Sequence, residues 1–423
     1  MIKFTNLSIL LLIAGSVSAA GPVEWMPAGA DDLRIESLPA SVPAAPPSRH
    51  AESEPVRFAW PLEIDRSAPA PSGPAMESRQ YWVDTTGLDI EKGLKLPLSS
   101  AGAIVRISAL HADSGLMLDA AGLQVDIDGS ALPVTESGGG IRLVTGRDLQ
   151  AQGMSVPTDT LAFQLPEQGS PRLLNLQLAG APADQPMVVH VFEPRSEWFG
   201  TLSAARHDYL AGQNIALDVA LSNGDQRFAA QSVQAVLVSP DADQAWPLEL
   251  SSDGLGLQGV VPQELPASGP GLYEVHAYLE GRQGDTLIRR DLKLALGIGA
   301  ATARLDHSAS ASMDRGLMID FGVEVATSGR FQMSAQVWGT DAGGELRPLA
   351  MTQSAAVLAP GANQLQVEVP SDLLQASGLV APFEVRDIEL RDQGRMSLLE
   401  TRHAGLVIGS ERAGLRPGSE IEY

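Results

Sequence analysis

Cysteine is absent from all 423 residues. That excludes disulfides, thiolate metal sites, a cysteine nucleophile and a lipidated N-terminal cysteine. Aromatic residues are scarce at 5%, which counts against a sugar-cleaving cleft. Basic residues are few: 29 Lys and Arg stand against 51 Asp and Glu, for a net charge of −22. Nucleic acid and anionic lipid are therefore poor partners, because phosphate binding needs clustered Lys and Arg. No apolar run after the N-terminus reaches the roughly 18 residues of a membrane-spanning helix. Several catalytic signatures are missing too. The chain contains no Gly-x-Ser-x-Gly elbow, no Rossmann fingerprint and no phosphate-cradling Gly-x-x-x-x-Gly-Lys-Ser/Thr loop. Its seven histidines form no His-Glu-x-x-His or other close ligand pair. His190 lies within an apolar strand and reads as a core or edge residue.

What is abundant is turn chemistry, with 42 Gly and 29 Pro. Residues 1–19 read as a secretory leader: Lys3 is the positive start, residues 7–14 the apolar stretch, and Val17-Ser18-Ala19 a small-residue cleavage site. An exported chain without cysteine is expected in the bacterial periplasm or outside the cell. Residues 20–75 are rich in proline, which removes backbone donors too often for a central strand or a helix. They read as an extended linker in which Trp25, Trp60 and Leu62 cover a groove of the first domain or belong to a tethered binding peptide.

Beyond the linker the period is two. In residues 271–294, Tyr273, Val275, Ala277 and Leu279 fall on one face while Glu274, His276 and Glu280 fall on the other. This is a strand with one buried face. A turn at Arg282-Gln283-Gly284-Asp285 leads to a returning strand. About 110 residues later the pattern recurs, with Phe383, Val385, Ile388 and Leu390 before Asp392-Gln393-Gly394 and a second return. Two such hairpins at domain spacing predict an all-β chain. Three tandem β-sandwich domains are expected behind the Pro-rich N-terminal arm, at residues 76–194, 195–299 and 300–410, with a polar tail at 411–423. In the first domain, short strands at residues 103–110, 123–127, 141–144, 161–165, 173–178 and 187–192 alternate with Gly-rich turns. Asp148 to Gln152 form one helical turn. In the third domain, Leu317, Ile319, Phe321, Val323 and Val325 alternate strictly, as do Phe331, Met333, Ala335 and Val337.

Two stretches of the third domain, Gly-Arg-Phe-Gln-Met-Ser-Ala-Gln-Val-Trp-Gly at residues 329–339 and Ser-Gly-Leu-Val-Ala-Pro-Phe-Glu-Val-Arg-Asp at 377–387, resemble bacterial immunoglobulin-like sandwiches. The Tyr81-Trp82-Val83 entry and the Val189-His190-Val191-Phe192-Glu193-Pro194 exit of the first domain add to the likeness. With the leader and the arm, the chain resembles a domain-of-unknown-function family of three-domain secreted proteins of gamma-proteobacteria. That resemblance implies two C-terminal immunoglobulin-like modules. It carries over no catalytic residue.

Two candidate sites remain. Asp126 and Asp128, in Asp-Ile-Asp-Gly, place carboxylates at a turn where calcium finds oxygen ligands; Asp-Gly is equally a common hairpin turn. Trp198 and Phe199 sit at the boundary of the first two domains, where they form a buried inter-domain contact or a ligand-binding aromatic pair. No other cofactor is implied. The expected function is a monomeric, non-enzymatic binding or adaptor protein with a protein or glycan partner, working through sandwich loops or edges. The alternatives are a secreted carbohydrate or peptide hydrolase with its site in the first domain, marked by paired carboxylates or by His111 beside an acid, and a structural spacer.

Overall fold

The structure, a computed structural model, describes residues 22–42, 52–62, 73–111, 118–135, 139–265 and 271–409. The expected leader and the polar tail fall outside the described residues. The chain is almost entirely β, a multi-domain β-sandwich protein. Its helices are single short turns such as Gly87–Lys92, Gly146–Ala151 and Ser371–Ser377. Among the described residues no helix is long and apolar enough to cross a membrane. Two compact units divide the chain: Pro71–Ile298, and Met1–Ala70 together with Gly299–Tyr423.

Pro71–Ile298 holds two hydrophobic cores. The first lies between a five-stranded sheet, ordered Gln80–Thr86, Pro186–Phe192, Ile104–Ala109, Leu161–Gln164 and Arg142–Thr145, and a four-stranded sheet that contains Leu94–Pro97, Leu173–Leu178 and Leu123–Ile127. Inward residues at alternate positions, among them Val105, Ile107, Leu174, Leu176, Val189 and Val191, are fully buried in it. The helical turn expected at Asp148 begins at Gly146. Thr145 caps it, its hydroxyl accepting from the Asp148 N–H while the Asp148 carboxylate accepts from the Thr145 N–H.

The second core is wrapped by a ten-stranded sheet in which Tyr273–Gln283 pairs with Thr286–Gly299. Their register joins Gln283 to Thr286, so Gly284 and Asp285 alone make the turn. Tyr273, Val275, Ala277 and Leu279 are buried, as their alternation requires. The strand Ala75–Ser78, expected to open the first domain or end the linker, pairs instead with Trp198–Ala204 at the edge of this sheet.

The other unit corrects the reading of the arm. Val23–Trp25 pairs with Ser397–Ile408, and Val56–Pro61 pairs with Leu346–Leu358. They form the two edges of a six-stranded sheet whose interior strands are Ser397–Ile408, Val380–Asp392, Gly329–Thr340 and Leu346–Leu358. A three-stranded sheet of Ala303–Ser312, Gly316–Val325 and Gly361–Pro370 accompanies it. Prolines are tolerated because these are edge strands, where a missing donor faces away from the ladder. Trp25 does not cover the first domain. Its ring meets Phe321 edge-on at 6.1 Å and His307 at 5.5 Å, inside the last module. Trp60 lies on the outer edge strand and stays 44% exposed, and the Leu62 N–H donates to Leu349 O at 3.3 Å.

Buried polar groups fasten the same arm. The Asp32 carboxylate accepts from the N–H groups of Gly29 (2.8 Å) and His403 (2.9 Å). Leu33 N donates to the Thr401 hydroxyl at 2.8 Å, and Thr401 N to the Leu33 carbonyl at 3.0 Å. The Glu400 carboxylate, buried, accepts from Ile35 N and Leu305 N. Burial pushes the Glu400 carboxyl up to about 7, against the opposing pull of those N–H groups and of Arg402 and Arg304. The folded form thus binds a proton more tightly than the unfolded chain. The associated stability is complete below the ordinary carboxyl range near 4.5 and is lost as pH rises through 7. The difference is worth roughly 3 kcal/mol. Hydrogen exchange on the full chain, corrected for intrinsic rate, is expected to show Ile35 and Leu305 amides more protected at pH 5.5 than at pH 8. Glu400→Gln should flatten that dependence; a Gln variant with the wild-type pH profile would assign it to another group.

Candidate functional site

The period of two that buries Ile288, Leu292, Leu294 and Leu296 also points Arg290 inward. A buried guanidinium must find partners within the protein. Arg290, 0% exposed, finds them where the first domain ends. Its Nη1 donates to Glu193 Oε2 at 2.9 Å, and its Nη2 donates to the hydroxyls of Ser99 (2.8 Å) and Ser196 (2.9 Å). Nε and Nη2 both reach the Trp198 carbonyl, at 3.1 and 2.9 Å. Burial lowers the Arg290 pKa, and the adjacent Glu193 carboxylate works against that fall. Glu193 is 1% exposed and accepts four bonds: from Arg290, from Ser99 N (2.6 Å), from Ser100 N (3.0 Å) and from the Ser99 hydroxyl (2.8 Å). Gly200 makes the approach possible, since a Cβ there would lie 2.8 Å from Leu292 Cδ1 and 3.0 Å from Arg290 Cβ.

Alongside runs a second link between the same parts. Trp82 N donates to Asp291 Oδ2 at 2.7 Å. Burial pushes Asp291 up to about 6 despite that bond. The Trp82 ring stacks on His190 at 4.7 Å, and His190 Nε2 meets Gln80 Oε1 at 2.9 Å. Burial and nearby Arg106 hold the imidazole down to about 4, so it is neutral at physiological pH.

Over the Arg290 network opens a polar cleft of about 550 Å³, walled by residues 99–101 and 169–172 with Arg195, Glu197, Trp198, Gln283 and Thr286. Ser99 and Trp198 belong to both, so the buried ion pair sets the shape of the wall. The Ser100 hydroxyl is buried in that wall without a hydrogen-bond partner. Arg195 pairs with Glu167 at 2.8 Å and Arg172 with Asp285 at 3.8 Å, all four side chains being substantially exposed to solvent. The arrangement sets hydrogen-bond donors and acceptors side by side. Glu193, with its four donors, fixes the Ser99 loop in that wall. A second cavity, about 360 Å³ and largely apolar, lies in the other unit beside Leu374, Leu379 and Phe383.

Of the residues singled out from sequence, Trp198 lies at this junction, while Asp126, Asp128 and His111 lie outside the cleft lining. Trp198 contributes its carbonyl to the junction. Its indole packs beside Phe228 at 5.3 Å, and its Nε1 donates to Gln283 Oε1 at 2.9 Å. Phe199 lies under the Arg79 guanidinium, 4.7 Å from the ring centre. Asp126 accepts from Asn175 Nδ2 (2.8 Å) and Gly129 N (3.3 Å), and Asp128 accepts from Leu173 N (3.1 Å) and Arg172 N (3.4 Å). Those carboxylates hold a turn and the strand beside it. Among the described residues no group of three or more His, Asp or Glu is placed to hold a metal. His111 is exposed just beyond the Ile104–Ala109 strand. Sequence reasoning passed over Arg290 and Glu193, although an arginine on the inward face of an alternating strand was the available signal.

Removing one partner of a buried ion pair strands the other, at a cost of about 3–5 kcal/mol. Arg290→Met is expected to lower stability by that amount in urea unfolding and to expose the residue 194–200 segment to limited proteolysis. Trp198→Ala keeps the carbonyl and should cost less; equal losses in the two variants would move the junction's strength to the indole. Calcium or a chelator is expected to leave the melting temperature unchanged, because the Asp126 and Asp128 oxygens are already engaged. A calcium-dependent rise abolished by Asp128→Asn would restore the metal site.

Two family models match the chain: the Domain of unknown function (DUF4785) N-terminal domain at residues 47–193, and the DUF4785 C-terminal domain at residues 302–408. No curated protein matches it. A crystal structure of a DUF4785 family protein from Legionella pneumophila aligns with a TM-score of 0.70 at 17% identity, over 88% of this chain and 98% of that one. Identity this low speaks for the fold alone. Trypsin-activated alpha-2-macroglobulin from Escherichia coli aligns at 13% identity with a TM-score of 0.18, over 73% of this chain and 22% of that one, and bears no weight. The chain therefore carries the N-terminal and C-terminal domains of the DUF4785 family, on an all-β fold like that of its Legionella relative.

Proposed function

We propose that this chain is an exported, non-enzymatic binding or adaptor protein of the bacterial envelope or extracellular space. Its working surface is the polar cleft of Pro71–Ile298. One observation carries the reading: a concave surface rich in hydrogen-bonding groups stands on a fully buried, fully paired charge network. A wall held this way is organised before the ligand arrives, and less ordering entropy is lost on binding. The leader at residues 1–19 supplies the export, the second module shares the cleft with the first, and the last module serves as immunoglobulin-like scaffolding.

A cross-linked pull-down of the tagged mature protein from its own envelope and culture fluid tests this. A partner captured by the wild type should be lost from the double variant Arg195→Ala/Gln283→Ala, with folding intact by circular dichroism. Capture that survives in this variant, or turnover of a carbohydrate or peptide substrate by the purified protein, would overturn the reading.

A further inference from the structure

We propose that the ligand of this cleft is an uncharged saccharide, bound through neighbouring hydroxyl groups. The inference rests on the reading of the cleft as the binding surface and names its chemistry. Around the engaged Ser99, the wall carries the hydroxyls of Ser100, Ser170 and Thr286 and the amide of Gln283. Two arginines also contribute to it, but each has an acid at hand, Glu167 for Arg195 and Asp285 for Arg172. An anionic ligand would have to compete with those carboxylates, and in a chain of net charge −22 nothing else draws it in. Guanidinium and carboxylate held side by side present donors next to acceptors. A pair of adjacent sugar hydroxyls, each able to donate and to accept, matches that pattern.

The apolar part of the lining points the same way. Its one large group is the Trp198 indole, fixed by Gln283 and Phe228. A fixed ring suits the C–H face of a pyranose. Peptide capture draws on a free sheet edge or on pockets for apolar side chains. Here the cleft is lined mainly by polar groups, not by pockets for apolar side chains. The unpaired Ser100 hydroxyl fits as well. A buried polar group without a partner calls for one, and Ser100 stands in the wall of the cleft.

Neutral hexose and N-acetylhexosamine oligomers, with matched uronate oligomers, would be titrated against the full mature chain by calorimetry and tryptophan fluorescence. At least one neutral oligomer should bind with a Kd below about 1 mM and quench or shift the fluorescence. Ser100→Ala and Gln283→Ala should each weaken it by roughly fivefold, as expected for a lost hydrogen bond, without changing the melting temperature. Uronate binding in place of neutral binding would overturn the uncharged class. Affinity unmoved by both variants would place the sugar elsewhere. No saccharide binding, with a protein partner still lost from the Arg195→Ala/Gln283→Ala variant, would overturn the saccharide and leave the cleft as a protein-binding surface. No saccharide binding and no cleft-dependent partner would end both readings.

Discussion

A buried arginine is the constraint on which Pro71–Ile298 depends. Water solvates a guanidinium so well that its removal is tolerable only when a carboxylate and further acceptors replace the lost hydration. Arg290 obtains those acceptors from two places distant in sequence: Ser99, and the short segment that holds Glu193, Ser196 and Trp198. The exit of the first domain, its Ser99 loop and the first strand of the second sheet must therefore converge on one point. Hydrophobic packing alone would allow those parts to slide, because apolar contact is not directional. The two cores on either side are separate, and the charge network gives their junction a single geometry.

The other unit solves a different problem with similar means. Its six-stranded sheet takes both edge strands from the Pro-rich N-terminal segment, hundreds of residues away in sequence. Covered edges do not recruit other chains, and Val56–Pro61 ends in a proline that blunts the new edge. Buried acids then fasten the segment: Asp32 as a cap for two N–H groups, and Glu400 as the acceptor shared between the arm and Ala303–Ser312. Arg290 is compensated by a full charge, whereas Glu400 is held mainly by backbone dipoles. Burial accordingly raises Glu400 into the neutral range, and at Arg290 the adjacent carboxylate works against the fall that burial causes. The family's N-terminal domain model begins at residue 47, yet Val56–Pro61 pairs within the sheet that includes strands of the C-terminal domain. Sequence domains and compact units therefore do not coincide in this chain.

Much of the strand pattern was legible because burial on one sheet face writes alternation into the sequence. Leu123–Ile127 and Leu173–Leu178 match the expected bounds, and Tyr273–Gln283 carries the expected buried face. Leu346–Leu358 went unseen for a specific reason. Its inward positions include Thr352 and Ser354, both buried, which break the apolar rhythm, and Pro348 reads locally as a stop. Thr352 is accommodated by donating its hydroxyl to Ala335 O at 2.9 Å on the neighbouring strand. The edge strands of the arm were missed because a three- or six-residue strand has no periodicity of its own. Only its partner identifies it.

The same division governs the site. By itself the sequence determined the fold class, the turn positions and the inward faces, all of which follow from local backbone preference and from burial at period two. It also determined what the chain lacks: cysteine, basic clusters and catalytic signatures. Tertiary structure alone decided which charges meet. Arg290 and Glu193 stand 97 positions apart in sequence, and no local pattern in either strand specifies the other. It also decided that the arm completes the last module's sheet and that the walls of the cleft come from both domains of Pro71–Ile298. The physical reason is common to all three. Periodicity records whether a residue is buried, while the identity of its partner is set by strand pairing and by the need to compensate a charge that water has left.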